Sequence, residues 1–386
     1  VIPLSIPNFE GNEQKYVDEA VSQGWVSSGG AFVDKLEKKL AEYTNTPLAV
    51  ACQSGTSALH MALVELGVKR DDLVITPTLT FIAAVNPITY VGAQPVFMDC
   101  DDSLCMDADK LRSFCENECT LKDDTLVHNS DGKRVRAIIV VHVFGNMANM
   151  VDILKTAKKY HLYVIEDATE AIGTYYTSGE LAGCHAGTMG DIGALSFNGN
   201  KIVTTGGGGA VLSKYEKRAA HIKYLSTQAK DDLHFYVHNE IGFNYRMTNV
   251  QAALGVAQME ELETFVERKN KNYDLYRELL EPCEKYYILD FAKNIRSNKW
   301  FYSLVVEPEK IGLSVKDIII KLGEEGVQTR PIWGLNHEQK PYVDCLAYNI
   351  EKAKYYSDRV INLPCSTNIT QEEIKTVCET IKRILA

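Results

Sequence analysis

A lysine in a loop, a carboxylate at the end of an apolar run and a serine-rich helix start are separately ordinary features of a soluble protein. Lys201 lies between two apolar runs, Ala194, Leu195 and Phe197 on one side and Ala210 to Leu212 on the other, with the glycines Gly206 to Gly209 ahead of the second. The pattern predicts two strands joined by a loop that carries an amine, the glycines allowing a tight turn or a close approach. Asp167 follows the apolar run LYVIE, so its carboxylate sits at a strand end, where a buried ionised aspartate needs a cation or strong donors. Ser54, Gly55, Thr56 and Ser57 follow the short run LAVAC and open a helix. Free backbone N–H groups and the helix dipole make such a start an anion site; a plain N-cap by Ser54 or Thr56 reads equally well.

The elements that must position these groups alternate. Strands are expected at 48–52, 73–76, 95–99, 137–142 and 162–166. Helices are expected from Phe32 to Tyr43, from Gln53, at 81–90 with a kink at Pro87, and at 149–160. Apolar strands alternating with helices predict an α/β fold with a mostly parallel sheet covered on both faces. In such sheets ligands sit beyond the carboxyl ends of the strands, which collects Ser54 to Ser57, His142, Asp167 and Lys201 along one edge. His142 reads as a support for the surroundings of that edge rather than as an acid or base.

A length of 386 residues exceeds what one core usually serves, which predicts two units. A long helix from Val250 towards Leu280 would span about 45 Å and link them. The expected division is 1–257, an N-terminal arm and large domain, and 258–386, a smaller α+β domain with a strand at 300–307 and helices at 315–325 and 370–385. The first 30 residues read as an arm, and the polar run 113–136 as an excursion.

A net charge of −10 argues against a nucleic-acid footprint, and no apolar run approaches the length of a membrane span. The opening VIPLSIPNFEGNE has neither a basic segment nor a cleavage pattern, so a cytoplasmic location with reduced thiols is expected for the ten cysteines. Cys115 and Cys119 with His128 lack the spacing of a zinc site, and no metal is expected.

Amine, carboxylate and anion cradle together match the aldehyde, ring nitrogen and phosphate of pyridoxal 5′-phosphate. The segments GWVSSGG, ACQSGTSAL, TPTLTFIAA, VVHVFGN, IEDATEAIG, GDIGALSFNGNKIVTTGGGG, GFNYRMTNVQAALG and INLPCSTNIT, in that order, resemble the DegT/DnrJ/EryC1 family of sugar aminotransferases. The resemblance spans nearly the whole chain and implies a pyridoxal-phosphate enzyme of fold type I. By position it implies that Lys201 anchors the cofactor covalently, Asp167 pairs the ring nitrogen, and Thr56, Ser57 and Ser196 hold the phosphate. It further implies that Phe81 stacks on the ring, that Glu170 lies beside it, and that Asn244 reaches the phosphate from the other subunit of a homodimer with shared active sites.

The chain departs from the family pattern twice: Gly207 stands where glutamate is common, and Glu170 where glutamine is common. The amino donor implied by the family is L-glutamate. The form SFNGNK with TTGGGG resembles members acting on UDP-linked 4-keto-6-deoxy-N-acetylhexosamines in bacillosamine and legionaminic-acid pathways, so the expected substrate is a UDP-sugar; dTDP- and GDP-linked keto sugars are the alternatives. Candidate substrate contacts are Trp25, Ser27, Arg330 and His337, with the Arg330 guanidinium suited to a diphosphate. Relatives that act as sugar dehydratases carry histidine in place of the lysine, so Lys201 argues against that activity. A non-catalytic sugar-nucleotide sensor on the same fold is the reading from outside enzymology. A dehydrogenase would need a glycine fingerprint that SGTSAL lacks.

Overall fold

The protein was analysed as a computed structural model that describes residues 1–232 and 234–386. Its centre is a ten-stranded sheet whose main path runs Leu48–Cys52, Gly209–Ser213, Ile192–Ser196, Tyr163–Asp167, Arg134–Val141, Leu73–Pro77, Gln94–Met98 and Leu346–Tyr348. From Ile192–Ser196 onward every neighbouring pair on this path is parallel. Gly209–Ser213 runs against both of its neighbours. Strands such as LVITP are buried along their whole length, which is why they read as continuous apolar runs rather than alternating ones.

Helices are packed on this sheet, and two of them fix the site. Gly55–Glu65 starts directly after the first strand, where Ser54 Oγ accepts the Ser57 N–H; such a cap contributes about 1 kcal/mol. Asn249–Leu279 is 31 residues long, roughly 46 Å. It opens with a reciprocal capping box between Thr248 and Gln251, one residue ahead of the expected start.

Beyond it lies a four-stranded antiparallel sheet in the order Tyr286–Ile288, Tyr302–Val306, Val360–Leu363 and Arg330–Pro331. The helices Val315–Glu324 and Gln371–Leu385 bury Ile318, Leu322, Ile374, Val377 and Ile381. Among the described residues no helix is long and apolar enough to cross a membrane.

Four expectations change. The first 30 residues are more than an arm: Glu13–Ser22 is a helix packed on Asn249–Leu279, with Ala20 fully buried. The 113–136 excursion is the end of the helix Ala108–Asn117 followed by a hairpin, Cys119–Lys122 with Thr125–His128, which adds antiparallel to Arg134–Val141. Its His128 pairs with Asp131 and stacks on Phe114, while Cys115 and Cys119 are buried. Pro87 does not kink a helix: it sits in the first turn of Asn86–Tyr90, where its missing N–H costs nothing, after a separate turn at Ile82–Ala84.

Finally, chain order and spatial order part company at both ends. Leu346–Tyr348 joins the far edge of the large sheet, parallel to Gln94–Met98. Ile2 in turn bridges Val327, and Leu4 accepts the Cys365 N–H.

Candidate active site

A cavity of about 640 Å³ opens beyond the carboxyl ends of the parallel strands. Val141, Asp167 and Ser196, each the last residue of its strand, contribute to its wall together with Thr56, Phe81, Glu170, Lys201, Trp300 and Arg330.

The anion end is built by sheet order. Because Gly209–Ser213 lies between Leu48–Cys52 and Ile192–Ser196, Gly209 faces Cys52 on one side and Ser196 on the other. A Cβ at Gly209 would lie 2.5 Å from the Ser54 carbonyl carbon and 2.7 Å from the Gly55 nitrogen. One at Gly55 would lie 2.7 Å from Thr169 Cγ2 and 3.1 Å from Ser196 Cβ. These two glycines let the helix start, the Ser196 hydroxyl and the loop after Asp167 converge. The N–H groups of Gly55 and Thr56 find no acceptor among the described residues, as expected for a first helical turn. Ser57 behaves differently from Thr56: its hydroxyl bonds Ser54 Oγ and the Ser54 carbonyl, so it belongs to the cap and does not line the cavity.

Asp167 is only 4% exposed. One carboxylate oxygen accepts the Thr169 N–H at 3.1 Å, and among the described residues no cation forms an ion pair with it. Burial raises its pKa, against the hydrogen bonds from Thr169 and the more distant Lys201 and His142. Behind it His142 accepts the Ala148 N–H at Nδ1, which leaves Nε2 to donate to Glu166 Oε2 at 2.9 Å. This imidazole is fully committed and stands outside the cavity.

Lys201 is held by two groups: its Nζ lies 3.5 Å from Glu170 Oε1 and 3.9 Å from the centroid of the Trp300 ring. Burial pushes the Glu170 carboxyl up to about 7, even though Lys201 and the Phe144 N–H, donated at 2.8 Å, pull the other way. Phe144 itself has a left-handed backbone, φ 56°, and its ring packs 4.7 Å from Trp333. Phe81, 55% exposed, stands in the cavity wall. Arg330 reaches the same cavity from the edge of the small sheet; its guanidinium donates to the Thr329 carbonyl and has no carboxylate partner among the described residues.

Four expected residues lie elsewhere in this chain. Trp25, 60% exposed, and Ser27 sit at the start of the long helix, where their carbonyls accept from Asn249. Asn244 is exposed and bridges Thr227. His337 is half-buried, with Nδ1 2.7 Å from Thr78 Oγ1, and helps Asn336 hold the loop that leads to Phe81. None of the four lines the cavity.

Conversely, Trp300, Trp333, Phe144 and Asn200 line it unannounced. The chain has three tryptophans, and aromatic type was a usable signal. Position along the sequence directed attention to Trp25, whereas the fold brings in Trp300 and Trp333.

The residues fit pyridoxal phosphate. A buried carboxylate without a cation suits a pyridinium N–H, two free helix N–H groups beside two hydroxyls suit a phosphate, and an amine lines the same cavity.

Comparison with known proteins agrees. The chain matches the DegT/DnrJ/EryC1/StrS aminotransferase family over residues 7–382. It is 34% identical to GDP-perosamine synthase of Caulobacter vibrioides, covering 100% of this chain and 98% of that one. It is 29% identical to UDP-4-amino-4,6-dideoxy-N-acetyl-beta-L-altrosamine transaminase of Campylobacter jejuni, covering 93% and 91%. A crystal structure of a DegT DnrJ EryC1 StrS aminotransferase from Brucella abortus superposes with a TM-score of 0.86 at 25% identity, covering 97% of this chain and 95% of that one. Family, fold and site chemistry converge: the chain belongs to the DegT/DnrJ/EryC1/StrS family and is a fold-type-I, pyridoxal-phosphate-dependent sugar aminotransferase.

Proposed function

We propose that this enzyme moves an amino group from L-glutamate to C4 of a nucleotide-linked 4-keto-6-deoxy sugar. The observation that carries the reading is the buried, cation-free Asp167 facing the same cavity as Lys201 and the open helix start at Gly55 and Thr56. When bound, pyridoxal phosphate supplies a carbonyl that carries nitrogen between donor and acceptor and a ring that accepts electrons from the donor's Cα.

The chain's own residues do the rest. Asp167 fixes the ring by its nitrogen and keeps that nitrogen protonated. Thr56, Ser196 and the helix N–H groups hold the phosphate, with Ser57 shaping the cap beneath them. Phe81 covers the ring. Lys201 anchors the cofactor and, once released, takes the proton from the donor's Cα at Nζ. Arg330, free of any carboxylate, binds the substrate diphosphate at the mouth.

Asn244, remote from its own cavity, completes the phosphate site of a second subunit in a homodimer. The working unit is cytoplasmic and divides near residue 257, with the backbone pairs of Ile2, Leu4 and Leu346–Tyr348 tying its parts together.

A UDP-linked 4-keto-6-deoxy-N-acetylhexosamine is the acceptor favoured by the SFNGNK and TTGGGG segments, which links the enzyme to bacillosamine or legionaminic-acid synthesis. The likeness to GDP-perosamine synthases, 34% and 33% identical, supports a GDP-linked keto sugar as the second reading. Glutamate-dependent amination across UDP-, GDP- and dTDP-linked keto sugars decides between them. Binding without nitrogen transfer to any of them would leave a sensor on an enzyme's fold.

A further inference from the structure

Lys201 must spend part of each cycle as a free amine, and two side chains stand against that amine in this structure. Its Nζ lies 3.9 Å from the Trp300 ring centroid and 3.5 Å from Glu170 Oε1. A cation over an indole face and beside a carboxylate in a buried pocket is stabilised by both.

Both partners are rigidly held. The Trp300 indole N–H donates to the Asn200 carbonyl, next to Lys201 in the chain, at 2.8 Å. The Trp300 carbonyl accepts from Lys269 Nζ at 2.8 Å, and Lys269 is 2% exposed. Glu170 is fixed by the Phe144 N–H at 2.8 Å, and the Glu170 carbonyl accepts from Asn298 at 3.0 Å. The other charged or titratable groups around the pair are Asp167 and Cys105, both close enough to Glu170 to act on it electrostatically, and Lys269, which donates to the Trp300 carbonyl.

We propose that Trp300 and Glu170 form a resting site for the released Lys201 side chain, which holds its ammonium, in proton exchange with solvent, clear of the incoming sugar. This rests on Lys201 being the anchoring amine. The proton removed from the donor's Cα would by then have passed from Nζ to the cofactor's carbonyl carbon, and the proton of the resting ammonium comes from solvent and returns to it before Lys201 acts again as a base.

The test uses the cofactor-loaded enzyme converted by glutamate to its amine form, in which Lys201 is free. Acetylation of Lys201 by acetic anhydride at about pH 8 is followed by peptide mass spectrometry, since only the unprotonated amine reacts. Trp300→Leu removes the indole face and raises the Lys201 acetylation rate about 2- to 30-fold. Trp300→Phe gives a smaller rise, and Glu170→Gln raises the rate independently of either. Lys269, buried in the folded protein, stays unmodified and reports that each variant is folded. Equal Lys201 rates in wild type, Trp300→Leu, Trp300→Phe and Glu170→Gln, with Lys269 protected, overturn the resting site. A visible cofactor band that persists in Lys201→Ala instead overturns the anchor itself, so the two failures are distinguishable.

Discussion

Replacing Asp167 by asparagine should pull cofactor affinity and apo-protein stability in opposite directions. Asp167 is 4% exposed and receives a single backbone N–H, from Thr169 at 3.1 Å, with no ion pair among the described residues. Without cofactor its charge is therefore poorly compensated, and burial raises its pKa. An acid whose folded-state pKa is raised contributes stability that is present below its unfolded pKa and lost as pH rises through the folded one. At neutral pH the ionised Asp167 thus weakens the apo fold, and asparagine relieves that cost while keeping the side chain's size. In the role proposed for it, the same charge pairs with the ring N–H of the bound cofactor. Hydrogen bonds to charged groups contribute roughly 1.5–3 kcal/mol, so the substitution weakens cofactor binding about 10- to 150-fold. Thermal melts of the apo protein from pH 4 to pH 8 and equilibrium dialysis of the cofactor measure the two sides. A variant that binds cofactor as tightly as wild type, or whose apo form melts at lower temperature at neutral pH, would refute the reasoning.

Lys201→Ala should abolish both turnover and the visible cofactor band, read by spectrophotometry and single-turnover assay. Gly209→Ala sets a Cβ 2.5 Å from the Ser54 carbonyl carbon. Overpacking costs about 1–3 kcal/mol, and because the displaced backbone is the proposed phosphate end, cofactor affinity should fall along with the melting temperature. Arg330→Ala should raise KM for the nucleotide sugar at least tenfold by the strength of a bidentate phosphate contact, with KM for glutamate and the cofactor band unchanged. For Glu170, held near 7 by burial against an ordinary value of 4.5, apo stability from this group falls as pH rises between those values. In Glu170→Gln that component should vanish from the pH profile of the melting temperature.

The parts of the site that were legible in the sequence are those fixed by local pattern. Asp167 ends a buried apolar run and Thr56 opens a helix, so strand and helix periodicity alone delivered them to one edge. Gly209 was readable as a close approach, although what it approaches, the backbone of Ser54 and Gly55, depends on Gly209–Ser213 lying between the first strand and Ile192–Ser196.

Trp300 was read only as the opening of a strand. Its place beneath Lys201 comes from a contact between residues about a hundred positions apart, for which the local pattern holds no signal. Ser57 shows the opposite limit: its residue type suits a phosphate, but the Ser54 cap claims its hydroxyl. The helix Glu13–Ser22 was missed because it buries little of its own surface except against the long helix.

The backbone pairs that cross between the two parts of the chain limit how this enzyme can move. Leu346–Tyr348 is hydrogen-bonded into the large sheet, while Ile2 and Leu4 are hydrogen-bonded to the C-terminal part. A wide jaw-like opening about the long helix would have to tear backbone pairs on both sides. Substrate entry is then expected to use shifts of side chains and loops at the rim, where Phe81 and Arg330 line the cavity, with the two sheets as a frame. Severing the chain near residue 257 would also strip the Gln94–Met98 strand of its edge partner, leaving an open hydrogen-bonding edge prone to self-association.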